Sequence, residues 1–96
     1  MRISELQDLM RRTYLERDLR RGADGTFRWL VEEIGEVARA LRRDDPEAIR
    51  DEVADALAWL TSLANVANVD LEEAMSRYAD GCPKCGEIPC ACPFRA

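Results

Sequence analysis

The junction Asp44-Asp45-Pro46 separates two long stretches of helical periodicity, and nothing else in the chain constrains the fold as strongly. Upstream, Leu30, Ile34, Val37 and Leu41 recur at spacings of four, three and four; downstream, Ile49, Val53, Leu57, Leu60 and Ala64 mark a second stripe. Asp45 can cap a helix, and Pro46 suits its first turn, where a missing N–H costs nothing. The pattern predicts an antiparallel hairpin, one helix ending near Arg43 and the next running to about Ala67, with both stripes buried. Gly35 is expected to leave room for close packing.

Two more helices flank this hairpin. Ser4 followed by Gln7 forms a capping-box pattern that opens a helix to about residue 20, with Ile3, Leu6, Met10 and Tyr14 as its apolar stripe. Gly22 and the following Ala-Asp-Gly supply a break, after which Asp24 or Thr26 can cap the next helix. Asp70 with Glu73 caps a short fourth helix from Leu71 to about Ala79, stopped by Gly81. No segment alternates with a period of two. The reading is an all-α fold of four helices over residues 1–80 with a cysteine-rich tail over 81–96.

The hairpin also organises the acids. Across an antiparallel pair, residues at equal height have a constant number sum; Glu36 with Glu52 and Glu33 with Asp55 both give 88. At 100° per residue all four fall on the same flank of their stripes. Helices pack about 8–10 Å apart, so these carboxylates converge and repel unless a cation neutralises them. Oxygen donors without His or Cys suit Mg²⁺ or Mn²⁺, an ion that keeps positions open for phosphate oxygens and water. The bland alternative is a solvated acidic face paired with Arg39, Arg43 and Arg50.

Charge distribution agrees with a cation site in the middle of the chain. The net charge is −5; residues 1–28 carry seven Arg against five acids, and residues 29–80 five Arg against thirteen acids. A nucleic-acid-binding surface wants a basic stripe, so no nucleic-acid partner is expected. The longest uncharged run, Ala56 to Val69, is too short and too polar to span a bilayer, and no membrane partner is expected either. The amino terminus lacks the apolar core of a signal peptide, so a cytoplasmic location is expected.

EEIGE at residues 32–36, followed after fifteen residues by EVAD at 52–55, resembles the bipartite acidic motif of the MazG-like, all-α nucleoside triphosphate pyrophosphohydrolases. The likeness extends through ELQDLM, TFRWLVEEIGEVARAL, DEVADALAWLTSLA and VDLEEAMSRY. It implies a helical bundle that assembles as a homodimer or homotetramer and cleaves NTP or dNTP to the monophosphate and pyrophosphate, a housekeeping activity on the nucleotide pool. Carried over by position, it implies Glu33, Glu36, Glu52 and Asp55 as magnesium ligands and Glu32 as the catalytic residue that activates water or holds a further ion. Where relatives carry a Lys-rich phosphate-binding segment, this chain has Arg77-Tyr78-Ala79-Asp80; Arg77 and Lys84 are the substrate-binding candidates. Trp29 is the candidate for stacking on a nucleobase, with Phe27 and Trp59 nearby and Gln7 or Asn65 as readers of the base edge.

Cys82, Cys85, Cys90 and Cys92 have the spacing C-x2-C-x4-C-x-C, and CPKCG resembles a zinc knuckle. With no His in the chain, a structural Zn²⁺ would be held by sulfur alone. A reduced or redox-active tail is the alternative. For the whole chain, the competing function is a non-catalytic helical oligomerisation or adaptor module with a zinc-binding tail.

Overall fold

A computed structural model describes residues 1–96. Helix α1 spans Ile3–Arg42, α2 spans Pro46–Val66 and α3 spans Leu71–Met75, followed by a 3₁₀ turn over Ser76–Tyr78. There are three α-helices rather than the four expected. The break at Gly22 exists, but as a kink inside α1 (φ 80°, ψ 173°) instead of a loop. A residue without Cβ can redirect the chain in a single step there, so no connecting segment is needed. Thr26 does not cap a second helix; it is fully buried and its hydroxyl has no partner.

The hairpin junction is as read. Asp45 Oδ1 accepts from the Ala48 N–H at 3.2 Å, and Pro46 occupies the first turn of α2. Asp70 likewise caps α3 through the Glu73 N–H at 3.1 Å. The start of α1 differs: the helix begins at Ile3, and the Arg2 N–H donates to Glu5 Oε1 at 3.1 Å, so Ser4 is inside the first turn.

That frees Gln7 for a different task. Its Nε2 donates to the Val69 carbonyl at 2.7 Å and its Oε1 accepts from the Leu71 N–H at 2.9 Å. Asn65 Nδ2 donates to the Gln7 carbonyl at 3.3 Å, and Asn65 Oδ1 accepts from Arg11 Nη2 at 3.1 Å. Both amides are buried. They tie the start of α1 to the α2–α3 junction and satisfy an orphan N–H of α3, leaving neither free to read a base edge.

The predicted apolar stripes are only partly buried. Leu30 and Ala64 are inside with Ala40, but Ile34 (54% exposed), Leu41, Val53, Leu57 and Leu60 are not. Around α1 the line facing α2 is Thr26, Leu30, Val37 and Ala40, and Phe27, Val31, Ile34 and Leu41 lie about 100° to one side. Val53, Leu57 and Leu60 occupy the same side of α2. The apolar band is wide enough to serve two neighbours, and the hairpin uses only one edge of it. Gly35 points away from α2, and a methyl group there would meet nothing within 4 Å, so it does not serve close packing within the chain.

The consequence is a chain with little core of its own. Only Leu30, Ala40 and Ala64 are buried apolar residues. The accessible surface is 7615 Å² at a mass of 10.9 kDa, against roughly 5600 Å² for a compact monomer of that mass. The radius of gyration, 15.6 Å, likewise exceeds the roughly 12.5 Å of a compact domain of this length.

Candidate active site

The kink at Gly22 decides what covers the acidic flank of the hairpin. It turns the first half of α1 across α2, on the side opposite the exposed apolar face, and opens a cleft of about 320 Å³ between them. Tyr14, Arg17, Asp18 and Arg21 form one wall; Asp55 and Trp59 contribute to the other.

Beside this cleft, Glu33 of α1 and Glu52 and Asp55 of α2 bring carboxylate oxygens within 4.8 Å of one another. None of the three forms an ion pair; the salt bridges of the chain all involve other acids. The Glu33 carboxyl is held above its ordinary pKa by partial desolvation, then by the charges of Asp55 and Glu52, with a hydrogen bond to Glu52 and the Glu36 charge adding to it. Uncompensated convergence of this kind fits a divalent cation. Mg–O distances of 2.0–2.1 Å put the ligands of one ion about 3–4 Å apart, a spacing that small side-chain rotations here can reach.

The other two acids of the first motif stand apart. Glu36 is engaged by Arg39, Nη1 to Oε1 at 3.2 Å, and is close enough to Glu33 to be felt electrostatically but does not join the cluster. Glu32 is exposed and outside it.

The cleft holds residues that periodicity and motif spacing did not single out. Arg21 Nη1 donates to Asp18 Oδ1 at 2.8 Å, and its guanidinium carbon lies 4.8 Å from the centroid of the Trp59 ring. Trp59 also stacks on Trp29, with ring centroids 5.8 Å apart and an interplanar angle of 18°. A Cβ at Gly25 would come within 2.6 Å of Arg21 Cγ, so Gly25 clears the path of the arginine stem. Arg17 sets positive charge in the cleft that Asp55 also lines, while the charge of Arg21 is met by Asp18. The available sequence signal was the excess of Arg in residues 1–28. Trp29, about half exposed, backs Trp59 without lining the cleft. Arg77 lies over the Tyr78 ring at 5.5 Å and Lys84 sits exposed in the tail; neither lines the cleft. Phe27 is exposed on the apolar face.

In the tail, Cys82, Cys85, Cys90 and Cys92 gather with all Sγ atoms within 4.8 Å. The Cys82–Cys92 and Cys85–Cys90 Sγ separations are 3.8 and 3.9 Å, too long for a disulfide. They equal the edge of a tetrahedron with Zn–S of about 2.3 Å, roughly 3.8 Å. The backbone N–H of Ala91 donates to Cys85 Sγ at 3.3 Å and that of Cys92 to Cys90 Sγ at 3.4 Å. Backbone N–H groups of Ala91 and Glu87 bring the Cys85 thiol down to about 6, while Cys90, Cys85 and Cys82 push Cys92 up to about 12. The cluster has the donor geometry of a Cys₄ site.

Compared with known proteins, residues 21–83 match the family described as the MazG nucleotide pyrophosphohydrolase domain. No curated protein matches the chain. The matched stretch contains both acidic motifs, the Trp29–Trp59 pair and the hairpin that aligns them. Over most of its length, from the kink in α1 to the first cysteine of the tail, the chain belongs to the MazG nucleotide pyrophosphohydrolase domain family.

Proposed function

We propose that the protein is a divalent-metal-dependent pyrophosphohydrolase that cleaves a nucleoside triphosphate, NTP or dNTP, between the α and β phosphates. The observation that carries this reading is the convergence of Glu33, Glu52 and Asp55, none of them ion-paired, at the edge of a cleft that Asp55 shares with Arg17 and Arg21. Glu33, Glu52 and Asp55 would hold Mg²⁺ or Mn²⁺, with Glu36 joining them if it leaves Arg39 when substrate enters. When bound, the ion neutralises phosphate oxygens and the charge that develops on departing pyrophosphate.

The protein's own groups do the remaining work. Arg17, which lines the cleft without an ion pair, meets the outer phosphates, the part for which the sequence offered Arg77 and Lys84. Trp29 holds Trp59 in place as a wall for the nucleoside, a supporting contact with substrate rather than a direct one. Glu32 faces solvent beside the cluster, where it can orient the attacking water by accepting its hydrogen bond. Helix-borne carboxylates keep this geometry rigid between turnovers.

The apolar face formed by Phe27, Val31, Ile34, Leu41, Val53, Leu57 and Leu60 supports a homo-oligomer. The surface excess of about 2000 Å² per chain over a compact monomer, about 4000 Å² for two copies, is in the range that obligate homo-oligomer interfaces bury. A second copy docked there leaves the acidic flank open. The tail is read as a structural zinc site, closed by four thiolates and therefore without an open position for chemistry.

The test is incubation with a panel of triphosphates and Mg²⁺ or Mn²⁺, with product identification. Release of pyrophosphate and a monophosphate is expected, and Asp55→Asn or Glu52→Gln should lower kcat by more than the roughly 10–100-fold that outer-shell changes cause. Absence of pyrophosphate from every triphosphate would favour the adaptor alternative.

A further inference from the structure

Of the four acids that pair across the hairpin, Glu36 alone is ion-paired. Arg39 Nη1 lies 3.2 Å from its Oε1 and 3.3 Å from its Oε2, so one donor meets both oxygens. Glu33, Glu36 and Arg39 follow one another at intervals of three, which stacks them along one side of α1. Glu36 therefore has a neighbour in each direction: a carboxylate one turn back, whose pKa its charge helps to raise, and a guanidinium one turn ahead. Helical side chains lean toward the amino terminus, so the lean that brings Arg39 back over Glu36 also lets Glu36 reach back over Glu33. Reorienting one side chain, with the backbone still, carries the carboxylate from one partner to the other. The ion pair is weak enough to yield. Its side chains are 54% and 39% exposed, and in pairs of that kind water and lost side-chain freedom offset most of the attraction.

We propose that Arg39 is a positioning residue of the cation site: it holds Glu36 away from Glu33, Glu52 and Asp55 until a cation binds, then releases it as the fourth carboxylate. The inference rests on the cation chemistry proposed above. Before a cation binds, a fourth carboxylate turned toward the other three would add to their repulsion, and the turn toward Arg39 avoids that cost. With a divalent ion among the three the balance reverses, because two positive charges outweigh one and a carboxylate oxygen suits Mg²⁺ or Mn²⁺. Nucleoside triphosphates enter such sites together with their ion, so the exchange accompanies substrate entry, but the ion alone is enough to drive it. Cation binding then carries the cost of breaking the Arg39–Glu36 pair. Arg39 thereby sets the cation concentration at which the site fills, without touching the ion itself.

The experiment is titration of the full chain with Mn²⁺ in the absence of nucleotide, the free ion being followed by electron paramagnetic resonance. Arg39→Ala is expected to bind Mn²⁺ about threefold more tightly than the unsubstituted protein, a gain within the range of an exposed ion pair. Arg39→Lys, which keeps the charge and most of the reach, should stay nearer the unsubstituted affinity. Removing a positive charge favours any nearby cation, so the Glu36→Gln background separates a general electrostatic effect from the release of Glu36. In that background the gain from Arg39→Ala should fall below about 1.5-fold, because no carboxylate remains to be released. Unchanged affinity in Arg39→Ala, an equal gain in both backgrounds, or no measurable Mn²⁺ binding would each overturn the proposal. Hydrolysis of triphosphates with a Mn²⁺ affinity indifferent to Arg39 would leave the pyrophosphohydrolase reading standing and remove this one. Tightening in Arg39→Ala that depends on Glu36, without hydrolysis of any triphosphate, would do the reverse.

Discussion

Glu33 and Asp55, on facing helices of the hairpin, bring carboxylate oxygens within 4.8 Å of each other, and neither is ion-paired. Because the folded state raises the Glu33 pKa, it holds that proton more tightly than the unfolded chain does. Stability from this group is therefore fullest on the acid side and declines as pH rises through the folded-state value. Glu33→Gln should flatten that decline and raise Tm at neutral pH, without added divalent cation, by about 2–4 °C. Added Mg²⁺ should stabilise the native sequence and leave the variant almost unmoved. Thermal unfolding against pH, with and without Mg²⁺, measures both effects; an identical response of the two proteins would dissociate Glu33 from the cation.

Gly22 holds a backbone conformation (φ 80°, ψ 173°) that side chains rarely adopt. Gly22→Ala should cost about 1–3 kcal/mol in urea unfolding. The kink positions Tyr14, Arg17, Asp18 and Arg21, so the same variant should also weaken nucleotide binding. A variant with unchanged stability would mean that the kink relaxes without strain.

One zinc per chain is expected by elemental analysis of the native protein, and none after Cys85→Ser. Zinc is held by thiolates, so its binding releases thiol protons and affinity should fall steeply as pH is lowered. A competition titration at several pH values reads this directly. Zinc content unchanged in Cys85→Ser would remove that residue from the site.

Val31 and Leu57 are about half exposed on the face opposite the acids. Val31→Glu or Leu57→Lys should convert an oligomer to a monomer in sedimentation velocity, with a lower Tm because the hairpin then loses the cover for its second apolar edge. A native protein that already sediments as a monomer at micromolar concentration would refute the homo-oligomer.

The sequence by itself determined the local architecture: the Asp45-Pro46 restart, the Asp70 cap and the level pairing of Glu33 with Asp55. Each depends on a few adjacent residues or on the fixed rise and rotation of a helix. It also carried the acidic motifs, because like charges crowded on a helix are costly unless used. Tertiary structure decided what periodicity is blind to. A stripe such as Leu30, Ile34, Val37 and Leu41 says that one face is apolar, but which edge meets α2 depends on the neighbour, and Ile34 and Leu41 are left for another contact. Gln7 reads as a helix cap or a base reader until the chain brings Val69 and Leu71 within hydrogen-bond reach of its amide. The partnership of Arg21 with Asp18 and Trp59 likewise forms only because one glycine in a positive-φ conformation folds the first half of α1 across α2.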